Sequence, residues 1–266
     1  MQDLKITLVQ ADLVWEDIPA NLERFDERLQ SINEQTDLII LPEMFNTGFT
    51  TEPARVAESP DGGTLRWMQE KAAKKQAIVT GSILVRIGDV YFNRLHWVQP
   101  GGEYFSYDKR HLFSMGNEHL KISAGKTRTL VSWKSWNILP LICYDLRFPV
   151  WSRNQYLDNN YEYDLLFYIA NWPDSRSHAF RSLLVARAIE NQAYVAGVNR
   201  IGTDGLGMVY SGGSMVVDPR GKVAAELPPG EEGSISFVLE KAVLEDFRGK
   251  FRVGPDWDGF KIIERP

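Results

Sequence analysis

Ile138–Pro149 reads Ile-Leu-Pro-Leu-Ile-Cys-Tyr-Asp-Leu-Arg-Phe-Pro. A short apolar run leads to Cys143, the single cysteine of the chain, and the pattern turns polar at once with Tyr144-Asp145. Pro149 suits the first turn of a helix, where its missing N–H has no partner to lose. The stretch predicts a buried strand that ends in a sharp turn with Cys143 at the turn. A nucleophile gains from that position, because its side chain is exposed at the strand tip while backbone N–H groups of the turn point at a reacting carbonyl. A buried free cysteine acting as a small hydrophobe gives the same local pattern. The rest of the chain decides between the two.

Upstream, Lys5–Gln10 and Asp37–Glu43 have the apolar content of buried strands, and Leu22, Phe25, Leu29 and Ile32 repeat at helical spacing within Asn21–Gln35. Gly62–Lys75 is a second helical segment. Ala77–Arg86 and Val90–Val98 predict strands hinged on Ile87-Gly88-Asp89, and Tyr104–Lys109 a further strand. Thr129–Ser132 and Asn137–Cys143 bracket a turn. Downstream the pattern predicts a helix near Pro149–Leu157, a strand at Leu165–Ala170 and an amphipathic helix at Ser177–Asn191. Strands follow at Ala193–Arg200, Ser211–Val217, Lys222–Ala225 and Ser234–Val238. This alternation fits an α/β fold of mixed sheets covered by helices. No Pro/Gly/Ser-rich linker, fixed-period repeat or charge block interrupts residues 1–266, so a single domain is expected, with Gly254–Pro266 running over its surface.

Composition narrows the function classes. A chain of 266 residues with 44% hydrophobic and 12% aromatic residues suits a packed globular domain. The formal charge of -5 argues against nucleic-acid or anionic-membrane partners, which want a basic surface. One cysteine excludes an internal disulfide and a multi-thiolate metal site, and it is compatible with a reducing compartment. The first residues lead directly into a strand pattern without a basic and apolar leader, and no apolar run reaches membrane-spanning length. A cytoplasmic protein is expected.

Glu43, Lys109 and Cys143 each stand at the C-terminal end of an apolar strand, where open α/β sheets collect their ligands. Together they supply a carboxylate as general base, a thiol as nucleophile and a cation for an oxyanion. Each also has an ordinary structural explanation: a cap on the turn Phe45–Thr50, a solvated charge beside Arg110, a core thiol. A Cys–His pair is the commoner thiol-hydrolase design, and His178 could approach Cys143 from the helix Ser177–Asn191. None of His96, His111, His119 and His178 falls in such a pattern, and His111 and His119 lack the carboxylate–histidine spacing of a metal site.

The wording around the three residues separates these alternatives. Leu41-Pro42-Glu43-Met44-Phe45-Asn46-Thr47-Gly48-Phe49, Tyr107-Asp108-Lys109-Arg110-His111-Leu112-Phe113 and Leu141-Ile142-Cys143-Tyr144-Asp145-Leu146-Arg147-Phe148-Pro149 resemble, in order, the glutamate, lysine and cysteine motifs of the nitrilase, or carbon–nitrogen hydrolase, superfamily. The similarity extends from Leu4 to Gly221 and includes Asn171-Trp172-Pro173 and Ala186–Gln192. It implies an αββα four-layer sandwich and a Cys-Glu-Lys triad. Glu43 would take the thiol proton and Cys143 attack an amide carbon, while Lys109 and the Tyr144 N–H hold the oxyanion. Glu118 is the candidate for the second glutamate that often supports this triad. No metal or organic cofactor is implied. The resemblance also suggests a homodimer or higher homo-oligomer, with helices near Pro149–Leu157 and Ser177–Asn191 pairing across a two-fold axis and Val150, Trp151 and Tyr156 supplying apolar surface.

Asn117-Glu118-His119-Leu120-Lys121-Ile122-Ser123-Ala124-Gly125 looks most like the bacterial omega-amidase branch. That implies hydrolysis of small 2-oxo acid amides such as 2-oxoglutaramate and 2-oxosuccinamate, with release of ammonia. Phe45, Phe113 and Trp172 are candidate pocket walls. Arg147, Arg176, Arg181 and Arg200 are candidates to grip a distal carboxylate, which favours a guanidinium fork, and the sequence does not choose among them. The alternatives are another small-amide or N-carbamoyl hydrolase, or a catalytically idle relative acting as a binding scaffold.

Overall fold

The computed structural model describes residues 2–263. Two six-stranded sheets carry the chain. The first runs, in spatial order, Gly233–Leu239, Leu4–Gln10, Leu38–Ile40, Ile78–Ile87, Val90–Val98 and Tyr104–Asp108. The second runs Val223–Glu226, Met215–Val217, Tyr194–Asn199, Leu165–Ala170, Trp136–Ile142 and Val131–Trp133. In each sheet three parallel strands lie inside antiparallel neighbours.

Alternation along the strands builds the layers. Leu4, Ile6, Leu8, Leu38, Ile40 and Ile78 share one buried cluster with Ile138, Leu141, Leu165 and Phe167 of the second sheet. Their strand neighbours Val9, Ile39, Leu41 and Val79 point the other way, onto Phe25, Leu29, Leu65 and Met68 of the helices Ile18–Ser31 and Gly63–Lys75. Because side chains on a strand alternate faces, a strand apolar on both sides must be covered on both sides. Phe180, Leu184 and Ala188 of the helix Ser177–Asn191 pack against the second sheet in the same way. The result is the αββα sandwich.

Local chemistry moves several boundaries. The first helix starts ahead of its apolar period, because the Asp17 carboxylate accepts from Ala20 N–H at 3.0 Å and Pro19 fits the first turn. The helix expected near Pro149–Leu157 ends at Ser152. Tyr156–Leu157 instead pairs with Asn160–Tyr161 across Asp158-Asn159, whose φ values of 50° and 63° make a tight hairpin turn. The strand expected over Ser211–Val217 breaks at Gly212 and Gly213, both at positive φ, so that Val209–Ser211 joins a separate hairpin. Two helices are absent from the sequence reading: the single turn Pro53–Val56, and Lys241–Lys250, whose buried face includes Lys241 and Arg248 paired with Asp164 at 2.6 and 2.7 Å. In the latter, charges where an apolar stripe is expected hide the period. After it the chain is largely exposed to residue 263, with Gly254 buried and Trp257 against Tyr161, while the end of the expected surface segment lies outside the described residues.

Candidate active site

Four strand ends meet where the two sheets adjoin. After Ile40 the chain leaves the first sheet through Leu41 and Pro42, and Met44 turns it at a φ of 43°. Lys109 follows Tyr104–Asp108, and its N–H donates to the Asn93 carbonyl at 2.9 Å. From the second sheet, Trp136–Ile142 delivers Cys143 into a 3-10 turn, Cys143–Arg147, and Leu165–Ala170 delivers Asn171. Cys143 has a φ of 41°, a strained position for a residue with a Cβ. Asp145 braces the turn: one carboxylate oxygen accepts from the Ile142 N–H and the Tyr107 hydroxyl, the other from the backbone and ring of His111.

Glu43, Lys109 and Glu118 form one buried hydrogen-bonded group. The Lys109 ammonium donates to Glu43 Oε1 at 2.8 Å and to both Glu118 oxygens at 3.1 and 2.9 Å. Asn93 Nδ2 bridges the two carboxylates at 2.8 and 3.4 Å, and the Phe113 N–H donates to Glu118 at 2.6 Å. Glu43 Oε2 accepts from Asn171 N–H at 2.8 Å. The Cys143 thiol has the Asn171 carbonyl 3.8 Å away and feels the charge of the Glu43 carboxylate.

Electrostatics sorts the roles these groups can take. Burial pushes the Cys143 thiol well above its usual range, the charge of Glu43 adds to the push, and Lys109 opposes it. The thiol is therefore neutral at rest and needs a base. Burial works against the Lys109 ammonium, but Glu118 and Glu43 overcome it and hold Lys109 above its ordinary value. A lysine held charged cannot take that proton; it can donate to an oxyanion. Burial also raises the Glu118 carboxyl, with Lys109 opposing and Glu43 reinforcing.

A cavity of about 150 Å³ opens over Cys143 and Lys109, the size of a small organic molecule. Phe113, Tyr144 and Trp172 line it. Phe45 does not: it is fully buried against Phe25 and Trp67 in the core beneath the first sheet, and its expected place in the pocket wall is corrected. Of the four arginines, Arg147 and Arg176 line the cavity, their guanidiniums resting on Trp172 at 4.6 Å and on Phe113 at 5.4 Å. Arg200 is buried on Asp12 at 2.8 Å and Arg181 pairs with Glu226 at the surface, so neither lines it.

The histidines are occupied elsewhere. His111 is bound to Asp145, His96 faces Ser106, His119 is exposed, and exposed His178 has the Ser182 hydroxyl 3.5 Å away. Asn93 and Asn171 were not singled out as site residues from the sequence. Asn93 carried a signal, since asparagine is depleted in strands and this one sits in the middle of Val90–Val98.

The family model described as "Carbon-nitrogen hydrolase" matches residues 5–248. The chain is 47% identical to the omega-amidase YafV of Escherichia coli (strain K12), over 98% of this chain and 100% of that protein. It is 33% identical to the 2-oxoglutaramate amidase of Bacillus subtilis (strain 168), over 83% and 85% of the two chains. Among solved structures, XC1258 from Xanthomonas campestris, a CN-hydrolase superfamily protein, superposes with a TM-score of 0.96 at 42% identity, covering 98% of this chain and 100% of the other. With Cys143 turned into a cavity beside an acidic and a cationic side chain, and a matching family model over nearly all of the sequence, the chain belongs to the carbon–nitrogen hydrolase family.

Proposed function

We propose that the chain is an omega-amidase, cleaving the side-chain amide of small 2-oxo acid amides such as 2-oxoglutaramate and 2-oxosuccinamate. Glu43 takes the thiol proton as Cys143 Sγ bonds to the amide carbon, and the oxyanion rests on Lys109 Nζ and the Tyr144 N–H. Glu43 returns the proton to the departing nitrogen, the C–N bond breaks, and ammonia leaves a thioester on Cys143. A water deprotonated by Glu43 then adds to the thioester carbon. Collapse releases the acid and restores the thiol. Glu118 neutralises Lys109 between turnovers and keeps its ammonium aimed at the cavity.

The observation that carries the substrate class is Arg147 and Arg176. Both line the cavity, and among the described residues neither has a carboxylate within ion-pair distance. Two unpaired guanidiniums beside an amide-cleaving thiol favour a substrate with an anionic far end. The names of the omega-amidase and 2-oxoglutaramate amidase relatives support the same class. Ammonia release across 2-oxo acid amides, amino-acid amides, nitriles and N-carbamoyl compounds tests it, with 2-oxoglutaramate expected to lead. Faster turnover of neutral amides would overturn the substrate while leaving the cysteine chemistry intact.

Two further assignments belong to this reading. The single cysteine is unpaired and its thiol is the working group, which suits the reducing cytoplasm; no described helix is long and apolar enough to cross a membrane. A homodimer is supported by the exposed apolar residues Val150 and Ile189, on the short helix after the cysteine turn and on Ser177–Asn191. Trp151 does not contribute as expected. It is buried within its own chain, with its ring N–H on the Tyr107 hydroxyl at 2.9 Å.

A further inference from the structure

The reacting groups come from different sheets. Glu43 and Lys109 follow strands of the first, Cys143 a strand of the second. A proton transfer between Glu43 and Cys143 therefore depends on how accurately two separately built layers meet. Only a group that touches both can set that distance directly.

Asn171 is such a group. It ends a central strand of the second sheet, and its carbonyl faces the Cys143 thiol at 3.8 Å. Its backbone N–H donates to Glu43 Oε2 at 2.8 Å, while Nδ2 donates to the Glu43 carbonyl at 2.6 Å and to Oε2 at 3.4 Å. Glu43 is thus held at main chain and side chain by one residue across the join. The two carboxylate oxygens are then unequal. Oε1 accepts from Lys109 and Asn93, both at 2.8 Å, which fills its two acceptor positions. Oε2 has one short donor, the Asn171 N–H at 2.8 Å, and one long one, Nδ2 at 3.4 Å, so it is the less committed oxygen and the better placed to receive a proton.

A second observation separates this from simple packing. Asn171 Oδ1 is buried and has no hydrogen-bond partner among the described residues. An unsatisfied buried carbonyl is a cost that an apolar side chain of similar size would avoid. The carboxamide is kept for what its amide group does.

We infer that Asn171 is a positioning residue for the general base, fixing Glu43 Oε2 against the Cys143 thiol across the boundary between the sheets. The inference rests on the proposed roles of Glu43 and Cys143.

Two variants test it. Asn171→Asp keeps the shape but removes the donors and sets a carboxylate against Glu43; Asn171→Ala removes the side chain. Each should lower kcat by roughly 100-fold, the effect of a reacting group displaced by about 1 Å, with KM within about threefold of wild type. Alkylation of Cys143 by iodoacetamide at neutral pH should slow in both, because the thiolate is the species that reacts. A residue serving only to pack the core gives a different pattern in Asn171→Ala: kcat close to wild type, and faster labelling in the loosened pocket. That pattern, or failure of both variants to fold, overturns the inference. Activity in Glu43→Gln would instead sink the base assignment beneath it, so the two failures are distinguishable.

Discussion

In the proposed reaction Cys143 starts as a neutral thiol held at a left-handed φ of 41°, and both properties follow from its place at the tip of Trp136–Ile142. Cys143→Ala should abolish turnover with the fold retained, and intact mass spectrometry of the wild type with substrate should show an acyl adduct that the variant lacks. Glu43→Gln keeps the hydrogen-bonding shape without the proton acceptor, so a loss of ~10²–10⁴ in rate is expected; exposed His178→Ala should stay within a few-fold of wild type. In the cavity wall, Arg147→Met and Arg176→Met retain much of the apolar stem. For the residue that grips the carboxylate, kcat/KM on 2-oxoglutaramate should fall by roughly 10–100-fold, matching a charged hydrogen bond of ~1.5–3 kcal/mol. A neutral amide should hardly notice either change. Strand ends singled out Glu43, Lys109 and Cys143, but only the family wording around them favoured a catalytic reading over a cap, a solvated charge and a core thiol. Asn171 was visible only as part of a family segment, since a bond from its side chain to Glu43 spans residues distant in sequence.

Among the elements, Val90–Val98 carries an unusual burden for one strand. Asn93 serves the carboxylate pair, while His96 is buried with its Nδ1 3.2 Å from Ser106 Oγ and its Nε2 without a partner among the described residues. Burial, with a smaller push from Arg94, depresses His96 to about 3. The folded form thus refuses a proton that the unfolded chain accepts. Its stabilising contribution is present above the unfolded value near 6.5 and is lost as pH falls from there towards 3. Urea unfolding between pH 6.5 and 4 should show this loss at ~1.4 kcal/mol per pH unit, and His96→Gln should remove that component of the slope. An unchanged slope in the variant would assign acid sensitivity to other groups. Strands and helices with one apolar face were readable from their period. The helix Lys241–Lys250 was not, because Asp164 draws charged side chains into its buried face. Turns set by backbone sign, at Asp158-Asn159 and Gly212-Gly213, likewise escaped a reading based on hydrophobicity.

At the scale of the molecule, the alternation of strands and helices was enough to read an α/β class, but the stacking of two sheets came only from the family resemblance. Alternation shows that a strand is covered on both faces; it does not say whether a helix or another sheet covers it. The outer surface carries one further expectation. If Val150 and Ile189 pack against a second copy, light scattering should give a dimer mass at micromolar concentration, and Ile189→Asp should shift it towards the monomer. A monomeric wild type would remove the dimer from the proposal.

The strand order also has a consequence for biosynthesis. Among the strands of the first sheet Leu4–Gln10 is made first, yet its outer neighbour Gly233–Leu239 is made last, and the two pair over their full length. Until the ribosome has delivered that last strand, the nascent chain carries a bare seven-residue edge of β-structure, the kind of edge that recruits other chains. A product truncated after Glu232 would contain Glu43, Lys109, Glu118, Cys143 and Asn171 and still be expected to collect in the insoluble fraction. Quality control then falls on the stage at which Gly233–Leu239 is made, because that strand is the last of the first sheet to be translated.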